Sequence, residues 1–158
     1  MSMKSDAEVE VLKSFLNICP DFLKKTAVIE PCNPPEPDCR VSFSDGTRIF
    51  FELRRVADPV MEQKINDKKI PNDEKGGFGP DDDLIAECAK DKIVKSELYK
   101  TNGLDLDLVL YFDLLPSLLL PKDVIEHYLH AVIATHGKGS FRKIWIFAPH
   151  EKKIVGCF

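Results

Sequence analysis

Residues 38–56 read DCRVSFSDGTRIFFELRRV, two arms rich in β-branched and aromatic residues around Ser44-Asp45-Gly46. Such arms separated by a short Asp-Gly segment make a β-hairpin. The turn decides which side chains meet. A two-residue turn at Asp45-Gly46 would pair Ser44 with Thr47 and set Asp38 and Glu52 on opposite faces. A three-residue loop, with Gly46 left-handed in a G1 bulge, would pair Phe43 with Thr47. Val41 then meets Ile49, Cys39 meets Phe51, and Asp38 meets Glu52. Residues directly opposite on one face have Cβ atoms about 4.5–5.5 Å apart.

Before the hairpin, residues 6–18 carry Val11, Leu12, Phe15, Leu16 and Ile18 on one face at helical period, and Pro20 stops the run. Residues 30–38 (EPCNPPEPD) hold four prolines and read as an extended lead-in, neither helix nor interior strand. After the hairpin, a short helix is expected from Ala57 to near Pro71, and a mobile loop at about 71–80 (PNDEKGGFGP). A helix is expected from about Asp82 to Tyr99, started by the aspartates at 81–83 and ended by Asn102-Gly103. DLVLYFD (107–113) and KIWIFAP (143–149) read as strands buried on both faces. A third helix is expected from Pro121 to about Thr135, and KKIVGCF (152–158) as a closing strand. Together these predict one α/β domain over 1–158, a mixed central sheet flanked by helices.

Composition narrows the function classes. The chain has 158 residues, 44% hydrophobic and 30% charged, enough for one core. Twenty-two Lys and Arg against 26 Asp and Glu give a net charge of −4, which does not favour non-specific nucleic-acid or membrane binding. The longest apolar run, Leu114 to Leu120, is far below the ~20 residues of a membrane span. No secretory leader is apparent, so a cytoplasmic location is expected. The five cysteines show no CxxC spacing and read as reduced thiols.

Two facing carboxylates repel unless positive charge lies between them. A divalent cation suits that place, since magnesium takes one or two carboxylates together with water and substrate phosphate. By strand alternation Arg54 shares the face of Glu52. On the first helix Glu8 falls at the middle of the apolar face, where a carboxylate needs a partner. On the second helix a face marked by Leu84, Cys88 and Tyr99 includes Lys95, with Lys92 near its edge. The competing reading is a turn aspartate, a solvated strand glutamate and lysines that keep their tips in water.

Pro37-Asp38, thirteen intervening residues, then Glu52-Leu53-Arg54, with a helix bearing Glu8 before and one bearing Lys95 after, resembles the PD-(D/E)xK superfamily. NPPEPD followed by a hairpin ending in Glu is similar to small stand-alone bacterial members of that family. The resemblance implies a restriction-endonuclease-like three-layer core and a magnesium- or manganese-dependent phosphodiesterase that acts on DNA through metal-activated water. It implies Asp38, Glu52 and Glu8 as metal ligands, and Lys95 as the cation beside the attacking water. Arg54 stands where the motif has Lys. Arginine cannot act as a base but grips phosphate through two parallel hydrogen bonds, so Arg54, with Lys92, is expected at the substrate phosphate.

The substitution at 54 and the acidic balance also allow a different class, a catalytically silent interaction module on the same scaffold. A homodimer paired through Ile154 to Phe158 is a further expectation. His127 and His130, three apart, project from the polar side of their helix and read as solvated. No P-loop, dinucleotide-binding or nucleophile-elbow pattern is present. Asp105, Asp107 and Asp113 flank a strand with no partner evident from sequence.

Overall fold

The computed structural model describes residues 3–56, 82–112 and 122–158. The expected short helix after Ala57, the loop at 71–80 and Asp113 lie outside the described residues. In chain order the elements are α1 (Met3–Ile18), β1 (Ala27–Pro31), β2 (Cys39–Phe43), β3 (Arg48–Arg55) and α2 (Asp82–Lys95). A 3-10 turn (Ser96–Leu98) follows, then β4 (Asp105–Tyr111), α3 (Lys122–His136), β5 (Lys143–Ala148) and β6 (Lys153–Cys157).

The hairpin adopts the three-residue turn. The Gly46 N–H donates to the Phe43 carbonyl at 3.0 Å, and the Phe43 N–H donates to the Thr47 carbonyl at 2.8 Å. Gly46 has φ of 91°, the left-handed region that a bulge glycine supplies without a Cβ clash. Asp45 Oδ1 accepts the Thr47 N–H at 2.9 Å, the local bond that makes aspartate a turn residue. The register that follows is Ser42–Arg48, Val41–Ile49, Arg40–Phe50 and Cys39–Phe51.

All six strands form one sheet in the order β1-β2-β3-β4-β5-β6. The β1–β2, β2–β3 and β5–β6 pairs are antiparallel, whereas β3–β4 and β4–β5 are parallel. Two successive crossovers that advance in one direction place their helices on the same side of a sheet. Accordingly α2 and α3 pack together through Ile85, Ala89, Ile93, Ile125 and Leu129 on a face that also buries Phe50, Leu106, Leu108 and Ile144. α1 covers the other face, where Leu12, Phe15 and Leu16 meet Val41, Phe51, Val109, Trp145 and Phe147. Phe15 lies edge-on to Phe51, Trp145 and Phe147, with ring centroids 6.2, 5.3 and 5.6 Å away. The result is helix, sheet, helix: an α/β fold in three layers.

Residues 27–31 form strand β1, an element the sequence did not announce; its last two residues begin the proline-rich lead-in, which is extended and outside the sheet interior as expected. Pro31 is tolerated because β1 is an edge strand, where a missing donor costs no ladder bond. The closing segment forms the expected strand, β6, which pairs with β5 within the chain at the edge of the sheet, with Phe158 and Ile144 exchanging backbone hydrogen bonds of 2.8 and 2.9 Å. Among the described residues no helix is long and apolar enough to cross a membrane, and all five cysteines are free.

Candidate functional site

Asp38 and Glu52 meet where the β2–β3 ladder ends. Beyond the last pair, Cys39–Phe51, their side chains clasp the opposite strand. The Asp38 N–H donates to Glu52 Oε1 at 2.9 Å, and the Leu53 N–H donates to Asp38 Oδ2 at 2.9 Å. Pro37 is buried immediately before Asp38, so the chain enters this clasp with a fixed φ. The proline-rich lead-in is itself tied down, since the Lys100 N–H donates to the Pro35 carbonyl at 2.9 Å.

Glu52 is only 3% exposed. Its second oxygen, Oε2, receives Lys92 Nζ at 2.6 Å and the Tyr99 hydroxyl at 2.5 Å, and Lys92 Nζ lies 3.4 Å from that hydroxyl. Three chain segments therefore fix one carboxylate. Burial pushes the Asp38 carboxyl up to about 7; the neighbouring Glu52 and Glu8 charges push the same way and the Leu53 N–H opposes them. Burial, the hydrogen bond to Glu52 and the local negative charge also push the Tyr99 phenol up. Cys39, beneath Asp38, is pushed up to about 12 by burial and then by the Asp38 and Glu8 charges. The surroundings of the two carboxylates are thus acidic and partly buried, and Lys92 brings an ammonium to them.

The lysine assignment is corrected. Lys95 is turned to solvent, its side chain 55% exposed and paired with Asp91, whereas the Lys92 side chain is 16% exposed and reaches Glu52. Among the described side chains of α2 the buried ones are Ile85, Cys88, Ala89 and Ile93. At roughly 100° per residue, Lys92 projects about 20° from Ile85 and Lys95 about 80°. Cys88 lies at one edge of that buried face, so the expected face that included it selected the wrong lysine.

Glu8 is buried at 8% exposure, as its place on the apolar face of α1 requires, and its charge acts on Asp38. It does not complete a ligand set. Among the described residues no three His, Cys, Asp or Glu side chains are grouped so as to hold a metal ion. Asp38 and Glu52 are what remains, a pair of hard oxygen donors of the kind magnesium uses with water and substrate phosphate. Arg54 lies two residues beyond Glu52 in β3 and is exposed among the described residues. His127 and His130 are exposed on α3.

Tyr99 was not assigned chemistry from the sequence. Its only signal there was its inward position after a lysine-rich helix end. Asp107 was singled out in the sequence without a partner. It is fully buried, and it accepts Arg142 Nε and Nη2 at 2.9 and 2.8 Å and the Trp145 indole N–H at 3.1 Å. That two-pronged pair, with the indole as third donor, satisfies the carboxylate inside the α1 face of the sheet.

Comparison with protein-family models, with curated proteins and with solved structures finds no match.

Proposed function

We propose that this chain is a restriction-endonuclease-like hydrolase that cleaves phosphodiesters of DNA with magnesium or manganese. The observation that carries this reading is the convergence of Asp38 and Glu52 at the end of one hairpin with Lys92 beside them. Two carboxylates held together in a partly dry pocket store repulsion that a divalent cation relieves. Asp38 and Glu52 would hold the ion, and Glu8 would add negative charge from behind. When bound, magnesium supplies Lewis-acid polarisation of a phosphoryl oxygen and a lowered pKa for water. Lys92, which reaches Glu52, rather than the exposed Lys95, would orient the attacking water and offset charge on the phosphorane-like transition state. Arg54, exposed on the same strand, would grip the substrate phosphate.

A nicking assay on supercoiled DNA with magnesium or manganese tests this reading, comparing wild type with Asp38→Ala and Lys92→Met. Cleavage by wild type that both substitutions abolish is expected. Equal cleavage by all three proteins, or none with either ion, overturns it.

One observation favours a silent interaction module instead. Lys92 and Tyr99 already satisfy Glu52 without a metal, as a scaffold that had lost its chemistry would arrange. Calorimetric titration with manganese separates the two readings, because a silent module gives no saturable heat that Glu52→Gln removes.

A further inference from the structure

Two donors of different charge share a single oxygen of Glu52. Lys92 Nζ and the Tyr99 hydroxyl both reach Oε2, at 2.6 and 2.5 Å, while Oε1 is held by the Asp38 N–H. One donor is a full positive charge on a flexible four-carbon stem; the other is a neutral phenol on a short rigid ring. They respond oppositely to a cation. An ammonium a few ångströms from a divalent ion is repelled in a pocket of low dielectric, whereas a neutral hydroxyl is not. Tyr99 is further anchored through its neighbour, because the Lys100 N–H holds the Pro35 carbonyl on the lead-in to Asp38. The same two-residue segment thus touches Glu52 by a side chain and the Asp38 lead-in by its backbone.

We infer that Lys92 is an exchangeable counter-ion, which occupies the place of positive charge at Glu52 until a divalent cation enters, and that Tyr99 is the permanent positioning residue that keeps Glu52 aimed throughout. This rests on the reading of Asp38 and Glu52 as the ion-binding pair. Release from Oε2 leaves the Lys92 ammonium tethered at the site and available to an incoming phosphate, so one residue serves the empty and the loaded pocket in turn. The lysine and the cation compete for one carboxylate, and removal of the lysine strengthens cation binding even as it removes a charge needed for cleavage. Removal of the phenol weakens cation binding, because Glu52 then has to be ordered by the ion itself.

Calorimetric titration of manganese into the full chain at pH 8 tests the inference with wild type, Lys92→Met, Lys92→Gln, Tyr99→Phe and Glu52→Gln. Lys92→Gln keeps a donor for Oε2 without the charge and guards against misfolding of the methionine variant. Both Lys92 variants are expected to bind on the order of tenfold tighter than wild type, and Tyr99→Phe on the order of tenfold weaker. General loosening of the pocket cannot produce opposite signs at one oxygen. Binding that Glu52→Gln abolishes but that the Lys92 variants leave equal or weaker overturns the exchangeable counter-ion and spares the underlying reading. An unchanged Tyr99→Phe affinity overturns the positioning role. No heat dependent on Glu52 in any of these proteins overturns the ion-binding pair, and the inference with it.

Discussion

Replacing Lys92 or Lys95 by methionine makes the same chemical change three residues apart on one helix, and the structure demands very different costs. Lys92 ends on a carboxylate whose side chain is 4% exposed, and is itself 16% exposed. Truncating one partner of a buried ion pair strands the other charge and costs about 3–5 kcal/mol. Glu52 keeps the Asp38 N–H and the Tyr99 hydroxyl, so the low end applies, about 3 kcal/mol. Lys95 and Asp91 are 55% and 39% exposed, and a pair in that setting contributes about 0–1 kcal/mol. Urea unfolding at pH 8 without divalent ions reads both losses directly. A double substitution supplies the internal check: Glu52→Gln removes the stranded charge, so Lys92→Met should cost much less in that background. Losses for Lys92→Met and Lys95→Met within 1 kcal/mol of each other, or additivity of Lys92→Met with Glu52→Gln, would refute the reasoning.

Other expectations follow from the same coordinates. Because the Asp38 carboxyl is raised from its ordinary value to about 7, the folded protein binds more protons than the unfolded chain between about pH 4 and 7. Stability from this group is therefore greatest below that window and falls as pH rises through it. Asp38→Asn should flatten the urea midpoint across the window and stabilise the cation-free protein at pH 8. Asp107→Ala leaves the buried Trp145 indole N–H without its acceptor, whereas the Arg142 guanidinium, 36% exposed, can turn to water, so the loss should be about 1–3 kcal/mol, read by chemical unfolding; no measurable loss would refute the structural role. Gly139, at φ of 60°, leaves no room for a Cβ, which would lie 2.2 Å from Ser96 Oγ and 2.7 Å from the Ile93 carbonyl. Gly139→Ala should therefore lower the melting temperature markedly, and Ser96→Ala in that background should recover only part of the loss, since the carbonyl clash and the positive φ persist.

Much of the fold was legible because it rests on local chemistry. The Asp-Gly turn and the alternation in both arms reduce the hairpin register to two alternatives, and the left-handed Gly46 of the folded chain selects the three-residue loop. That register places Asp38 against Glu52. The apolar runs of β4 and β5 identify strands buried on both faces, and the proline-rich stretch could not be interior strand. β1 was lost because strand pairing at an edge is non-local: nothing within residues 27–31 announces that β2 lies alongside. Glu8 was readable from the period of α1, since Val11, Leu12 and Phe15 define its buried side unambiguously.

What the tertiary structure decided is which lysine serves the acids. The sequence by itself narrowed the parity at Asp38 and Glu52 to two turns, because a strand's period of two is rigid, and the structure chose the turn whose bulge residue joins the two acids. The sequence could not determine the rotation of α2 about its own axis. That angle is set by Ile85, Ala89 and Ile93 seating against α3 and the sheet, and a turn of some tens of degrees exchanges Lys95 for Lys92. The same holds for Tyr99 and for Asp107, whose partners lie 47 and 35 residues away along the chain. Contacts between distant segments are created by packing, and only the packed molecule displays them.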